Sequence, residues 1–382
     1  MSRLEPNRGP IRVLHLRDSP WVDGPGRTIL ESASRFDRHR VDYRVAVLVS
    51  PGATVHPMIV QAGSRGIPIY PIPDRGGFDT GVVEEIKSLV DRFSIDVIHA
   101  SDLRTSVYCI LAKRQRVHLA LVRTTHGWIA NTLRRRVMRA FDKVLLRLFD
   151  HVILVSHAMR ELVPRWWLPD ARVTVVHNAL PLESYGGSQV DRSRPAPDPS
   201  GPVMLLNVGR LSPEKGQDLL LRAVACLAQE FPGLRLRFAG IGAMEPQLKA
   251  LAAKLGLAER VEFLGYRHDM PELYAEADLV VQSSLTEGLP NVILEAAFLG
   301  VPVLATNVGG TREIIEHGKG GWLIESGSVD AIVAGVTRYL NDPSDCLRMT
   351  QVARRRVFDT FSFDARVKKM TALYEQIGCR SP

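Results

Sequence analysis

The sequence predicts an α/β protein of two domains, each built on a parallel sheet. Apolar runs of strand length recur along the chain, and helical stretches separate most of them, the alternation that parallel sheets require. The 382 residues are long for one core and comfortable for two. A segment without periodicity at 186–202, GGSQVDRSRPAPDPSGP, is rich in Gly, Pro and Ser and reads as the boundary. The expected division is therefore a first domain over 1–185, a linker over 186–202, a second domain over 203–358 and a last segment over 359–382.

In the first domain the strand-like runs are 12–16, 43–49, 97–99, 152–155 and 173–176, with a further apolar run at 119–122. After the first run, Arg17-Asp-Ser-Pro-Trp-Val-Asp-Gly-Pro-Gly-Arg27 offers Gly24 and Gly26 as a flexible turn before a helix. The third glycine of the dinucleotide fingerprint is missing, because Leu30 and Glu31 follow Thr28 and Ile29, which argues against a nicotinamide enzyme. His126, in Thr124-Thr-His-Gly-Trp128, sits between the run at 119–122 and a predicted helix. In that helix, over 132–149, Leu133, Val137, Ala140, Phe141, Val144, Leu145 and Leu148 fall on one stripe opposite the cations. Two readings stand: the stripe packs into the core beneath solvated arginines, or the helix docks on an anionic membrane, where each basic residue adds about 1 kcal/mol.

The second domain has runs at 203–208, 235–239, 261–264, 279–282 and 301–305. The first is followed by Gly209-Arg210-Leu-Ser-Pro-Glu-Lys215-Gly216 and a helical pattern over 218–230. Arg210 and Lys215 thus sit in a loop beyond a strand's carboxyl end, where open α/β sheets bind ligands. Two cations there offset the charge of a diphosphate, Arg as a bidentate fork and Lys as a point charge. The stretch Glu287-Gly-Leu-Pro-Asn-Val-Ile-Leu-Glu295 predicts a helix starting near Leu289, since Pro290 suits a first helical turn. Its free N–H groups and positive dipole end suit a phosphate, and Gly288 lets a ligand approach. Glu287 precedes the helix and Glu295 lies about 12 Å of rise further on, too far to share one atom but suited to two ends of an extended ligand. For either glutamate alone, a solvated surface position is the ordinary alternative.

Together the G-R-x-x-x-x-K-G loop and the E-G-x-P-x-x-x-x-E segment resemble those of the retaining glycosyltransferases of family GT4, and the similarity runs through most of the chain. The resemblance implies the GT-B fold, two Rossmann-like domains facing a cleft, the first (1–185) binding the acceptor and the second (203–358) the nucleotide sugar, with the segment 359–382 supplying a helix that crosses back to the first domain. It implies that Arg210 and Lys215 hold the donor diphosphate and stabilise the leaving group, that Glu287 contacts the donor sugar, and that Glu295 binds the ribose. The backbone around Gly288, Leu289, Asn291 and Val292 would cradle the distal phosphate. His126 would contact the donor sugar, while Gly24, Gly26 and Arg27 would lie near the donor phosphate and the acceptor. Residues 238–242 and 264–267 would border the nucleotide, and 307–318 also fit the family, although turns and packing account for their glycines equally well. Where the family has Asn-Gly, this chain has Asn178-Ala179.

The donor so implied is a UDP- or GDP-sugar. With no D-x-D element, two cations and a helix terminus replace a divalent ion, so no metal and no other cofactor is expected. Retention is expected through a same-face displacement, because no two carboxylates flank the anomeric carbon. The acceptor is expected to be a glycan or a lipid-linked glycan of a cell-surface polysaccharide. A small soluble acceptor, a GT-B epimerase or phosphorylase, and a basic nucleic-acid-binding protein are the alternatives.

Charge is divided unevenly. The first 180 residues carry +10 and the remainder −2 of the total of +8, and the stretch 104–147 sets 11 basic residues against Asp142 alone. No groove-reading module accompanies this excess, so no nucleic acid partner is expected. No apolar run reaches the roughly 18 residues of a spanning helix, and the polar start is not a signal peptide. A cytoplasmic protein, peripheral at the cytoplasmic membrane face, is expected. Cys109, Cys226, Cys346 and Cys379 are scattered without metal-type spacing and read as reduced thiols.

Overall fold

The computed structural model describes residues 9–50, 52, 56–114, 118–126, 133–185 and 201–378. Residues 186–200 of the expected linker, and Gly127 and Trp128, lie outside them. The chain forms two compact units, one of residues 1–179 with 363–382 and one of residues 180–362. Each is described by itself.

Unit 1 carries β1 (Ile11–Arg17), β2 (Val41–Val49), β3 (Ile69–Pro73), β4 (Val97–Ala100), β5 (Ala120–Thr125), β6 (His151–Leu154) and β7 (Val173–Val175). They form one parallel sheet in the order β3-β2-β1-β4-β5-β6-β7. The order reverses between β1 and β4, the switch point that opens a crevice at the strands' carboxyl ends. Connecting helices are α1 (Gly24–Arg35), α2 (Pro57–Gly63), α3 (Thr80–Phe93), α4 (Leu103–Lys113), α5 (Leu133–Leu145) and α6 (His157–Glu161). The central strands read as near-continuous apolar runs because both sheet faces are covered. β3 escaped that pattern: its Pro71 and Pro73 break an apolar reading and are tolerated only because β3 is an edge strand.

The final helix, Phe363–Gly378, packs on α1, β1 and β4 and sends Met370, Leu373 and Ile377 into a core with Val13, Val45 and Val97. A polar network lies in that core. His15 and His99 stack with ring centroids 3.9 Å apart. His15 bonds Tyr43 and Ser101, and His99 bonds Tyr374 of the final helix and Thr124, both at 2.7 Å. Burial pushes His99 down to about 3 and His15 well down, and lifts the Tyr43 and Tyr374 hydroxyls, so all four groups are neutral. Arg366, also buried, donates to the carbonyls of Val176 and His177.

α5 corrects the reading in which its apolar stripe packs inward. Val137, Ala140, Phe141, Val144 and Leu148 are exposed, and only Leu145 of the stripe's described side chains is buried, beside Leu146. The inward face is set by Asp142, which pairs with Arg123 of β5 at 2.8 Å with both side chains buried. The last turn tightens into a 3-10 helix over Leu146–Leu148.

Unit 2 carries β8 (Val203–Val208), β9 (Leu234–Ala239), β10 (Val261–Phe263), β11 (Leu279–Gln282), β12 (Val303–Thr306) and β13 (Trp322–Ile324), parallel in the order β10-β9-β8-β11-β12-β13. Its helices are α7 (Gln217–Leu227), α8 (Glu245–Lys254), α9 (Met270–Glu276), α10 (Asn291–Phe298), α11 (Thr311–Ile314), α12 (Val329–Asn341) and α13 (Pro343–Thr360). The switch point falls between β8 and β11. β12 begins two residues later than the apolar run, since Pro302 has no N–H for the ladder.

Tyr374→Phe removes the partner of His99 Nδ1 and is expected to lower stability by about 1–3 kcal/mol, read as the urea midpoint at constant slope. The two histidines have folded pKa values below their unfolded value of about 6.5, so the stability of this core is full above that pH and declines as pH falls toward about 3. A pH series of urea melts checks the direction.

Candidate functional site

Beyond β8 the chain turns through Gly209, at φ 152°, and a 3-10 turn over Pro213–Lys215 into Gly216, at φ 60°. Gly216 is required there twice over. Its φ is left-handed, and a Cβ would stand 2.3 Å from the carbonyl oxygen of Ser283, which follows β11. The two loops are locked by Leu285 N–H donating to Glu214 O at 2.8 Å and Ser283 Oγ donating to Lys215 O at 3.0 Å. A third loop, after β12, closes on the second through Gly309, whose Cβ would stand 2.1 Å from Glu287 O, and through the Gly310 N–H bond to Gly288 O at 2.7 Å. The glycines at 240 and 242 likewise abut Gly209 and Leu211 backbone. In these loops the packing reading of the glycines holds.

That closure brings Lys215 Nζ to 2.5 Å from Glu287 Oε1. Glu287, its side chain only 10% exposed, also accepts from Ser284 Oγ at 2.7 Å and Gln282 Nε2 at 3.1 Å through the same oxygen. The Arg210 side chain is exposed on the same loop as Lys215, and its carbonyl accepts from Gln217 at 2.9 Å.

α10 starts at Asn291, with Pro290 as the cap residue rather than inside the first turn, and among the described residues no side chain caps it. The early N–H groups that a helix leaves unpaired are thus not taken by a capping side chain, and Leu289 and Pro290 beneath them are buried. Asn291 and Val292 are half-buried, and Asn291 Oδ1 is buried without a partner among the described residues. Glu295 is little more than one turn into the helix, not two, and is buried. Tyr274 of α9 donates to its Oε2 at 2.9 Å and reaches Val292 O at 3.2 Å. Periodicity marked none of Tyr274, Ser284 and Gln282 as site residues, because each is defined by a hydrogen bond to a glutamate and not by its place on a face.

The unit 1 candidates lie elsewhere in the fold. Gly24 and Gly26 are inside the first turn of α1, not in a turn before it, and the Gly26 N–H donates to Asp23 Oδ1 at 2.9 Å. His126 follows β5 directly. Both its ring nitrogens are buried without a partner among the described residues, and burial, with Arg17, Arg366 and Arg123 nearby, drives its pKa well down, so the ring is neutral.

The profile of Glycosyltransferase Family 4 matches residues 22–184, and that of Glycosyl transferases group 1 matches residues 190–356. The chain belongs to glycosyltransferase family 4. It is a glycosyltransferase, and its two parallel-sheet units are those of the GT-B fold. Glycogen synthase of Mycobacterium tuberculosis is 31% identical over 280 residues, which cover 70% of this chain and 66% of that protein. The UDP-Gal:alpha-D-GlcNAc-diphosphoundecaprenol alpha-1,3-galactosyltransferase of Escherichia coli is 23% identical, covering 97% of this chain and 98% of the relative. Among solved structures, Anabaena HepE in complex with UDP-glucose has a TM-score of 0.78 at 22% identity, over 96% of this chain and 99% of that one.

The loop contact itself is testable in this glycosyltransferase. Gly309→Ala, at φ 54° with the Glu287 carbonyl in the way, should lose more stability than Gly300→Ala, at φ 71° with open space around it. Thermal unfolding of both variants checks the order, and the Gly309 loss should exceed about 1 kcal/mol.

Proposed function

We propose that the enzyme is a retaining glycosyltransferase that takes a sugar from a UDP- or GDP-sugar and passes it to a hydroxyl of a glycan or lipid-linked glycan. The observation that carries this is the Lys215–Glu287 pair beside the uncapped start of α10 at the switch point of unit 2. A cation, a helix N-terminus and a carboxylate side by side suit a phosphate next to a sugar. Lys215 exchanges Glu287 for the diphosphate when donor binds, joined by Arg210. The amides from Gly288 to Val292 meet the distal phosphate, and Glu287 meets the sugar. Glu295, oriented by Tyr274, takes the ribose hydroxyls. His126, neutral and with neither ring nitrogen bonded among the described residues, takes a sugar hydroxyl. Gly24 and Gly26 carry less of the reading, since the Gly26 amide is already engaged.

In the reaction the acceptor oxygen bonds to the anomeric carbon on the face from which the diphosphate departs. The bond from that carbon to the phosphate oxygen breaks, and the hydroxyl proton passes to the departing phosphate. Positive charge at Arg210, Lys215 and the start of α10 stabilises the leaving group without a divalent ion. Glu287 reads as a positioning group rather than a nucleophile, because Ser284 and Gln282 still hold its Oε1 once Lys215 has moved to the diphosphate. The relatives' names support the donor class: HepE was solved with UDP-glucose, and the Escherichia coli relative is named for a UDP-galactose donor and a lipid diphosphate acceptor.

Location at the cytoplasmic membrane face is part of the same reading. Among the described residues no helix is long and apolar enough to cross a membrane. α5 instead turns Val137, Phe141, Val144 and Leu148 outward from a strongly basic segment whose single acid, Asp142, is paired inside.

Transfer assays, nucleotide binding and vesicle flotation test this reading. Transfer should persist in excess chelator with the anomeric configuration kept, and Lys215→Ala should weaken nucleoside diphosphate binding by about tenfold or more; strict dependence on Mg²⁺, or a sugar trapped on Glu287, contradicts the mechanism. In flotation assays the protein should rise with phosphatidylglycerol vesicles and not with phosphatidylcholine alone, and Phe141→Ser with Leu148→Ser should abolish it.

A further inference from the structure

A carboxylate turns easily about the bond that carries it, so nothing in a glutamate itself decides which oxygen meets a ligand. At Glu287 the surroundings decide it. All three of its hydrogen bonds fall on Oε1, from Lys215 Nζ at 2.5 Å, Ser284 Oγ at 2.7 Å and Gln282 Nε2 at 3.1 Å, while Oε2 accepts none among the described residues. Two of these donors are uncharged and stand on the frame of the sheet. Gln282 is buried at the end of β11, where it pairs with Ala305 of β12. Because an ionised carboxylate only accepts, its amide presents the NH2 group to Glu287, and its Oε1 lies 3.5 Å from Thr311 Oγ1. Ser284, also buried, has its carbonyl held by Thr306 Oγ1 at 2.7 Å and Ser326 Oγ at 3.1 Å, so β12 and the loop after β13 brace it.

That two of the three donors are neutral has a chemical consequence. A carboxylate beside a diphosphate is repelled by it, and once Lys215 has turned to the phosphate its own pairing with Glu287 is gone. Ser284 and Gln282 then stabilise the anion without drawing on the positive charge that the leaving group needs. They also keep Oε1 occupied, which leaves Oε2 as the oxygen for the sugar. An acceptor held in one place meets a hydroxyl in one orientation, and a sugar epimeric at that carbon points its hydroxyl elsewhere. A carboxylate free to swing follows either epimer.

We propose that Ser284 and Gln282 are positioning residues that pin Glu287 with Oε2 toward the donor sugar, and so determine which of two epimeric sugars the enzyme accepts. This rests on the reading in which Glu287 meets the donor sugar, and adds what makes that contact selective. The preferred donor carries a free hydroxyl that donates to Oε2. Neither residue touches the diphosphate in this scheme, so their loss is felt at the sugar and not at the nucleotide.

The test is calorimetric binding of UDP, GDP and three epimeric pairs to the full chain: UDP-glucose with UDP-galactose, UDP-N-acetylglucosamine with UDP-N-acetylgalactosamine, and GDP-mannose with GDP-glucose. Wild type should separate one pair by about tenfold or more, and Ser284→Ala and Gln282→Leu should each reduce that ratio to about threefold or less. Ser284→Thr, which keeps a hydroxyl, should retain the ratio, and the affinity for bare UDP or GDP should not fall in any variant. Glu287→Ala separates the two levels of the argument. If it loses the ratio while Ser284→Ala and Gln282→Leu both keep it, the positioning role is overturned and the Glu287 contact stands. If Glu287→Ala keeps the ratio, or wild type binds no nucleotide sugar or separates no pair, the sugar contact and the positioning role fall together. Bare UDP or GDP binding that weakens in step with the ratio in both variants shows damage to the whole site and also overturns the proposal.

Discussion

Three loops of unit 2 touch backbone to backbone, and the candidate donor site depends on that contact. Gly216 admits the Ser283 carbonyl and Gly309 admits that of Glu287, at separations no Cβ would permit. Only because the loops close this far does Lys215 reach Glu287, 72 residues along the chain. A lysine on its own loop would be a solvated point charge of little consequence, and a glutamate without it would be one more surface acid. Joined at a sheet's switch point, beside a helix start that no side chain caps, they become a place where a negatively charged ligand can displace one partner and use the other.

The two units solve the problem of buried polarity differently. Unit 2 gathers the polar contacts of its candidate site at the carboxyl edge of the sheet. Unit 1 buries a histidine pair, two tyrosines and Arg366 against the final helix, all with partners and with the histidines held neutral by burial. A fully satisfied network of this kind fixes the helix in one register, whereas Met370, Leu373 and Ile377 alone would tolerate sliding. Opposite in character is α5, whose apolar side chains face out because the Asp142–Arg123 pair fixes which side faces in.

Much of this was legible in the sequence because parallel strands buried on both faces leave continuous apolar runs. β8 and β11 were bounded as predicted, and the loop and helix carrying Arg210, Lys215, Glu287 and Glu295 were placed correctly on strand, loop and helix. What was not legible has physical causes. β3 is masked by prolines allowed only at an edge, and a sequence does not say which strand is the edge. The stripe on α5 was evident, but periodicity gives the members of a face and not its direction. Tyr274 is 21 positions from Glu295 and joins it only through the packing of α9 on α10. Gly24 and Gly26 looked like a turn, yet Asp23 caps the helix at that point and draws both into its first turn.

The most direct test of the account is a crystal structure of the protein with bound nucleoside diphosphate. The account predicts Lys215 Nζ within hydrogen-bond distance of a phosphate oxygen and no longer on Glu287, with the distal phosphate against the backbone N–H groups at the start of α10 and the ribose on Glu295. A diphosphate bound away from the β8–β11 switch point, with the Lys215–Glu287 pair intact, would contradict it.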